Sequence, residues 1–382
     1  MLEQIYTNYR LQLPTSEIYG TLVVRDGKIA DIQPHSSSLG QDGQGDYLLP
    51  GLVELHTDNL EQCLMPRPKV QWPLKAATIA HDRELVGAGI TTVCDAIAVG
   101  SIDPDSPRNK QFEDLIQAVC EKQKNDRFAA DHYLHLRCEL GWETVTEVVQ
   151  KYAEHPRLKL ISLMDHTPGQ RQFVNLDRYK QYYQGRYGVS DAEIDQLIQD
   201  RLATQSKFSL RNREILVQLG KQYKIPLASH DDATLAHVEE SVRDGATIAE
   251  FPTTLEAAQA AQSQGLQILM GSPNVMLGGS HSGNVSALEL LHHQLVHILS
   301  SDYVPQSLLQ ALFLIPQLTG KPLYESVVLA TLNPAKAIGL ENDRGSLELG
   351  KKADFITVKS DSLDPGKTPR LTAVYRNGHR IA

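Results

Sequence analysis

The chain has 382 residues, and 37 Lys and Arg against 46 Asp and Glu give it a formal net charge of −9 at pH 7. Hydrophobic residues make up 41% and charged residues 22%, proportions typical of a globular protein, and the length suggests one large domain and a smaller one. The acidic balance argues against a nucleic-acid-binding protein, which normally carries a basic stripe.

Neither a membrane segment nor a secretion signal is visible in the sequence. No apolar run reaches the roughly 18 residues that a membrane span needs, and the first residues lack a continuous apolar region. The four cysteines have no CxxC spacing, which favours reduced thiols over a zinc ribbon or a redox motif. We therefore expect a cytoplasmic protein that does not contact a membrane.

Strand and hairpin signals occur at both ends of the chain. The strand-like segments cover residues 19–30, 353–358 and 371–376. The first contains an Asp-Gly turn and the last is followed by Asn-Gly, the dipeptides most typical of tight hairpins. Because such short β segments are not stable alone, we expect residues 1–49 and 341–382 to form one small sheet domain.

Between these ends, from residue 50 to residue 340, short apolar runs alternate with helical stretches, which favours a parallel sheet. The predicted helices lie within residues 191–220, 254–264 and 325–338. The predicted strands cover residues 52–57, 90–97, 133–140, 158–164, 225–229, 247–251, 266–270 and 298–301. Eight strands over about 290 residues predict an α/β fold of the (β/α)₈ TIM-barrel type. An open doubly wound sheet is the alternative, although the glycine fingerprint expected after its first strand is missing.

Histidine and carboxylate side chains follow five of the predicted strands, at the end where barrel enzymes carry their active sites. His56 and Asp58 are two residues apart and therefore share one face of a strand. The other candidates are Glu139, His166, His230 and Asp302. Each could alone be a hydrogen-bonded structural residue. Together they favour one or two divalent cations, with zinc or manganese ahead of magnesium.

Four segments resemble the amidohydrolase superfamily. They are PGLVELHTD at residues 50–58, AGITTV at 88–93, NPAKAIGL at 333–340 and GSLELGKKAD at 345–354. The resemblance covers nearly the whole chain and implies a metal-bearing (β/α)₈ barrel with a β-sandwich built from both termini. Asp58 stands where the usual HxH motif of the superfamily has its second histidine.

Longer motifs resemble one branch of that superfamily. They are HTDNLE at residues 56–61, SLMDHTPGQRQF at 162–173, ASHDD at 228–232, EFPTT at 250–254 and GSPNVMLGGSHSGN at 271–284. These motifs are similar to those of the diphosphatases of the carbon–phosphorus lyase pathway, which release pyrophosphate from α-D-ribose 1-methylphosphonate 5-triphosphate. The metal ligands that this resemblance implies are His56, Asp58, Glu139, His166, His230 and Asp302, with Glu139 as the candidate bridging ligand.

A small anionic ribosyl triphosphate as substrate requires local positive charge in an acidic protein. Arg67 and Arg171 are the predicted substrate-binding cations, since arginine can bind phosphate through two parallel hydrogen bonds. Gly278, Gly279 and His281 belong to a glycine-rich segment that could present backbone N–H groups to phosphate oxygens. Solvated surface charges and a plain connecting loop are the alternatives for these residues.

The implied mechanism uses water activated by a divalent cation as the nucleophile. Asp302 is the predicted general base, and His230 is a candidate both for metal binding and for assisting the leaving group. A C–N hydrolase of the same superfamily, such as a deaminase or a cyclic-amide hydrolase, is the first alternative, and a non-catalytic scaffold of the same fold is the second. A homo-oligomer is left open because no interface signature is visible.

Overall fold

The computed structural model describes residues 3–67, 70–101, 106, 108–124, 128–171, 179–180, 190–280, 283–364 and 366–382. Sixteen strands within these residues form two eight-stranded sheets. The strands are β1 (Glu3–Gln12), β2 (Glu17–Arg25), β3 (Lys28–Gln33), β4 (Gln41–Asp42), β5 (Tyr47–Pro50), β6 (Leu52–Thr57), β7 (Ile90–Val99), β8 (Asp131–Glu139), β9 (Leu158–Met164), β10 (Leu227–His230), β11 (Ile248–Glu250), β12 (Gln267–Gly271), β13 (Ile298–Ser300), β14 (Phe355–Val358), β15 (Leu371–Arg376) and β16 (His379–Arg380).

Helices follow most strands of the central region, as a βα pattern requires. The α-helices of the described residues are α1 (Asn59–Leu64), α2 (Leu74–Gly87), α3 (Arg108–Lys124), α4 (Val145–Tyr152), α5 (Asp191–Tyr223), α6 (Leu235–Asp244), α7 (Leu255–Ser263), α8 (Ser272–Leu277), α9 (Ala287–His292), α10 (Pro305–Thr319), α11 (Leu323–Val327) and α12 (Leu332–Ala337). Two short 3₁₀ helices cover Val328–Ala330 and Ser360–Leu363. None of the helices in these described ranges is long and apolar enough to cross a membrane.

The first sheet combines both ends of the chain in the order β16-β15-β14-β5-β1-β2-β3, with β4 beside β1. Both predicted hairpins are present. Asp26 and Gly27 have φ values of 49° and 77°, and Asn377 and Gly378 have 50° and 73°, as a tight turn with two left-handed residues demands. The expected small β domain from both termini is therefore confirmed, and its strands form one continuous hydrogen-bonded sheet.

An aromatic cluster holds this terminal sheet together. The rings of Phe355 and Tyr375 stack at 4.4 Å, and Tyr6 meets both of them edge to face. Leu48 on β5 is fully buried in the same cluster. Because these side chains come from residues near both ends of the sequence, burying them requires the two ends to fold together.

The second sheet contains the strands from β6 to β13 in sequence order, as a (β/α)₈ barrel requires. Thr57, at the end of β6, forms a parallel bridge with Asp302, just after β13, so the first and last strands meet. All eight predicted strands are present, and the barrel fold is confirmed. The described residues between 100 and 130 contain helix α3 and no additional strand. His166 and His230 accordingly follow the fourth and fifth barrel strands.

Two of the predicted helices are continuous and one is broken. The prediction for 191–220 corresponds to α5, which starts at a capping box between Ser190 and Glu193, and that for 254–264 corresponds to α7. Residues 325–338 instead form α11, a 3₁₀ turn and α12. The ring of Pro334 is incompatible with the carbonyl group four residues earlier in a continuous helix, so the chain breaks before it.

By its internal contacts, the chain forms two compact units. The first unit comprises Met1–Asp95, Ala118–Tyr133 and Met270–Ala382, and the second comprises Ala96–Gln117 and Leu134–Leu269. The domain boundaries expected from the sequence follow a different criterion, the separation of the terminal sheet from the barrel, and stay a prediction.

Candidate metal centre

Three of the predicted ligands come together in the first unit. His56 lies near the end of β6, Asp58 precedes α1, and Asp302 follows β13. The backbone N–H of Asp302 donates to the carbonyl of His56 at 3.0 Å, and the N–H of Asp58 donates to the carbonyl of Asp302 at 2.8 Å. The Nε2 atom of His56 and the Oδ1 atom of Asp58 are 4.0 Å apart. Backbone hydrogen bonds therefore bring the main chains of these three residues next to one another.

Glu54 supports this group from inside the barrel strand. Its side chain is fully buried and accepts the backbone N–H of His56 at 2.7 Å and that of Ser301 at 2.6 Å. Burial raises the pKa of Glu54 to about 7, although both hydrogen bonds act in the opposite direction. Sequence reasoning missed Glu54. Its only signal in the sequence is its position two residues before His56, which places both side chains on the same face of an apolar strand.

The other three predicted ligands lie in the second unit. Glu139 ends β8, His166 follows β9, and His230 ends β10. The Nδ1 atom of His166 is 2.6 Å from Oε2 of Glu139, and the rings of His166 and His230 are 5.8 Å apart. Asp231 joins them, because one potential ligand atom each from His166, His230 and Asp231 lies within 4.8 Å of the other two. Asp231 has a left-handed φ of 56°, which is unusual away from glycine and turns its side chain out of the strand pattern.

The two histidines of this group are in different electrostatic surroundings. Burial lowers the pKa of His230 and so favours the neutral imidazole that binds a metal. Burial also acts to lower the pKa of His166, but the neighbouring carboxylate of Glu139 outweighs it and the net shift is upward. A cation bound by His166 would therefore displace a proton that Glu139 stabilises in its absence.

Glu250 is a further residue that sequence reasoning did not assign. It ends β11, is fully buried, and accepts a hydrogen bond of 2.6 Å from the hydroxyl of Ser162. Its Oε2 atom also lies 3.2 Å from Nδ1 of His230. The signal was present, since Glu250 opens the EFPTT segment and ends a predicted strand.

The two predicted substrate arginines differ in exposure. Arg67 is exposed and pairs through its backbone with Val70. Arg171 is 3% exposed, and its guanidinium donates to the carboxylates of Asp232 and of Glu240, the latter at 2.8 Å. The guanidinium of Arg171 is thus engaged inside the protein, and its assignment to substrate binding stays a prediction.

The glycine-rich segment begins where α8 ends. Gly278 terminates that helix with a left-handed φ of 71°, and a Cβ atom built on Gly278 or Gly279 would meet no neighbour within 4 Å. Space is therefore available beside both backbones. His281 lies outside the described residues.

The chemistry of both donor sets fits a divalent cation. The set of the first unit offers an imidazole and two carboxylates, and the set of the second offers two imidazoles with the carboxylates of Glu139 and Asp231. Mixed nitrogen and oxygen donors of this kind suit zinc or manganese better than magnesium, which prefers oxygen. The residues present therefore fit the cofactor that the sequence predicts.

A second histidine cluster in the first unit has a different character. His81 Nε2 lies 2.7 Å from Oδ1 of Asp95, while His132 lies between Oδ2 of Asp95 at 2.8 Å and Oδ1 of Asp82 at 3.2 Å. Both ring nitrogens of His132 thus face carboxylates at hydrogen-bonding distance. This arrangement suits a protonated imidazolium, so we assign the cluster to structure and not to metal binding.

A known protein family and a known enzyme are similar to nearly the whole chain. The sequence profile described as "Amidohydrolase family" matches residues 47–380. The chain is 47% identical over 383 residues to the alpha-D-ribose 1-methylphosphonate 5-triphosphate diphosphatase of Escherichia coli strain K12, covering 99% of this chain and 100% of that protein.

Solved structures agree with the fold. A Xaa-Pro dipeptidase with bound methionine superposes with a TM-score of 0.68, and N-acetylglucosamine-6-phosphate deacetylase from Pasteurella multocida with 0.65. Each is 13% identical in sequence, and the alignments cover 100% of both chains in each pair. The resemblance seen in the sequence motifs is thus confirmed, and the chain belongs to the amidohydrolase family.

Proposed function

We propose that this protein hydrolyses α-D-ribose 1-methylphosphonate 5-triphosphate and releases pyrophosphate. The observation that carries the proposal is the 47% identity, over 99% of the chain, to the diphosphatase of Escherichia coli. In this reaction water attacks the first phosphorus of the 5-triphosphate, the one bonded to the ribose oxygen. The anhydride bond to the second phosphate breaks, and pyrophosphate leaves. The buried histidines and carboxylates at the strand ends are residues of the kind that such a hydrolysis uses.

The proposed cofactor is one or two divalent cations, either zinc or manganese. The proposed ligands are His56, Asp58, Glu139, His166, His230 and Asp302. Their support is their donor chemistry and their position after strands of the same eight-stranded sheet. A bound divalent cation supplies water of lowered pKa and neutralises charge on the phosphoryl oxygens.

Asp302 is the proposed general base. Two backbone hydrogen bonds, to His56 and from Asp58, hold its main chain. Its φ of 54° is a left-handed conformation, and such strained residues persist where the surrounding structure imposes them, often at active sites. This fixed main chain supports the proposal that the carboxylate of Asp302 accepts the proton of the attacking water. His230 is the second catalytic candidate, for assisting the departure of pyrophosphate if it is not itself a metal ligand.

Substrate binding is proposed for Arg67, Gly278 and Gly279. Arg67 is exposed and therefore accessible to a phosphate group of the substrate. Both glycines leave room beside their backbone N–H groups. We also propose that the protein acts in the cytoplasm, where buried thiols such as that of Cys138 stay reduced.

Phosphorus NMR of the products tests the proposed reaction. The purified protein, loaded with zinc or manganese, should convert a ribosyl 5-triphosphate carrying methylphosphonate at C1 into pyrophosphate and the 5-phosphate. Release of orthophosphate alone would contradict the proposed bond cleavage. Hydrolysis of cyclic amides without any cleavage of the triphosphate would favour the C–N hydrolase alternative.

A further inference from the structure

Behind His230, the second unit contains three buried polar side chains that form one hydrogen-bonded series. His135 Nε2 bonds the hydroxyl oxygen of Ser162, and that hydroxyl donates to Oε2 of Glu250 at 2.6 Å. The same Oε2 atom lies 3.2 Å from Nδ1 of His230. His135, Ser162 and Glu250 are each 0% exposed. None of these three residues belongs to the proposed ligand set.

The strands hold this series in register. Residues His230 and Glu250 pair directly between β10 and β11, and both end their strands. Ser162 is on β9, next to β10 in the sheet. With His135 on β8, four adjacent strands each contribute one residue, and rigid neighbours determine the direction in which Glu250 presents its carboxylate.

The direction of the hydrogen bonds determines where the proton of His230 sits. A carboxylate can only accept, so the N–H of His230 that faces Glu250 must be on Nδ1. In a neutral imidazole the other nitrogen, Nε2, then carries the lone pair. Nε2 of His230 faces the candidate metal ligand Asp231, since it lies 3.6 Å from Oδ2 of that residue.

We propose that Glu250 is a positioning residue, held by Ser162 and His135, that fixes His230 with its proton on Nδ1 and its Nε2 lone pair directed to the cation. The inference rests on the proposed metal binding, not on which triphosphate is cleaved. Carboxylates that accept a hydrogen bond from a ligating histidine set its tautomer and its orientation, and their loss typically weakens metal affinity by about 10- to 100-fold.

Zinc affinity, measured by chelator competition on the full chain, is the first test. Glu250→Leu removes the acceptor, and Ser162→Ala removes only the hydroxyl that orients it. We expect the first variant to weaken zinc binding by about 10- to 100-fold and the second by a smaller factor. Asp244→Asn is the matched control, because it removes a carboxylate of the same unit that pairs with Arg213. Affinities of Glu250→Leu and Ser162→Ala equal to those of Asp244→Asn and of the wild type would overturn the inference.

Nitrogen NMR of the metal-free protein is the second test and does not depend on catalysis. The resonances of His230, assigned with a His230→Gln variant, should show the proton on Nδ1 in the wild type and a shift toward Nε2–H in Ser162→Ala. A wild-type His230 with its proton on Nε2 would overturn the inference. If Glu250→Leu does not fold, Ser162→Ala alone still tests the inference. A protein that gives the expected tautomer and affinities but releases no pyrophosphate would overturn only the proposed reaction.

Discussion

His132 Nδ1 lies 2.8 Å from Oδ2 of Asp95, and neither side chain is exposed. Asp82 accepts from the opposite ring nitrogen, and the ring stacks on Phe128 with a centroid distance of 4.0 Å. Burial alone would lower the pKa of His132, but the two carboxylates outweigh it and raise the pKa to about 9. The same ion pair lowers the pKa of Asp95 to about 2 against the effect of burial.

The stability of the protein should therefore decrease as the pH rises from about 6.5 to about 9. Below the unfolded pKa of 6.5, His132 is protonated in both states and its contribution is complete. At higher pH the unfolded chain loses this proton first, and the contribution disappears once the pH passes the folded pKa. Urea unfolding at a series of pH values measures this decrease.

Two histidine variants separate this effect from the titration of other groups. His132→Gln should be less stable at neutral pH, because Asp82 and Asp95 lose their charged partner, and should show a flatter pH dependence. His35→Gln alters an exposed histidine and should keep the wild-type dependence. Equal slopes for the wild type and His132→Gln would contradict the assignment.

The ion pairs of Arg171 predict a structural effect of its replacement. Asp232 is 1% exposed, and Arg171→Met would leave this carboxylate without its cation. We expect a loss of about 3–5 kcal/mol in the free energy of unfolding. Urea denaturation measures it, with Arg83→Met on the exposed face of α2 as the control. An unchanged unfolding free energy combined with a raised KM would support substrate binding by Arg171 instead.

The fold was predictable because its signals are local. Each barrel strand is an apolar run, and each hairpin turn carries the dipeptide that its left-handed backbone needs. The break before Pro334 was not predicted, although its signal is equally local, since the proline is visible in the sequence. The exact ends of the strands depend on tertiary pairing, which the sequence pattern does not contain.

The candidate ligands could be named from the sequence because they end or follow strands, and their roles stay a prediction. Glu54 and Glu250 were missed because their roles come from partners far away in the sequence, such as the N–H of Ser301, 247 residues after Glu54. Arg171 shows the opposite problem. Its partners Asp232 and Glu240 are 61 and 69 residues away, so the sequence alone did not reveal that they engage its guanidinium.

Replacing Arg67 should affect substrate binding without affecting stability. Arg67 is exposed, so Arg67→Ala should change the free energy of unfolding by less than about 0.5 kcal/mol. Loss of a charge-assisted hydrogen bond to phosphate costs about 1.5–3 kcal/mol, which corresponds to at least a tenfold drop in kcat/KM. Steady-state kinetics with the triphosphate measure this drop. Arg83→Ala serves as the exposed control, and equal kinetics for both variants would remove Arg67 from the substrate site.

Asp302→Asn tests the proposed general base. Asparagine tolerates the left-handed φ of 54° and keeps both backbone hydrogen bonds, to His56 and from Asp58, so the fold should be retained. The amide oxygen can still face a cation but cannot accept a proton at neutral pH. We expect kcat to fall by about 10²- to 10⁴-fold while the metal content, measured by elemental analysis, stays at the wild-type level. Wild-type turnover in a metal-loaded variant would show that another group accepts the proton, whereas loss of the metal would show that Asp302 acts mainly as a ligand.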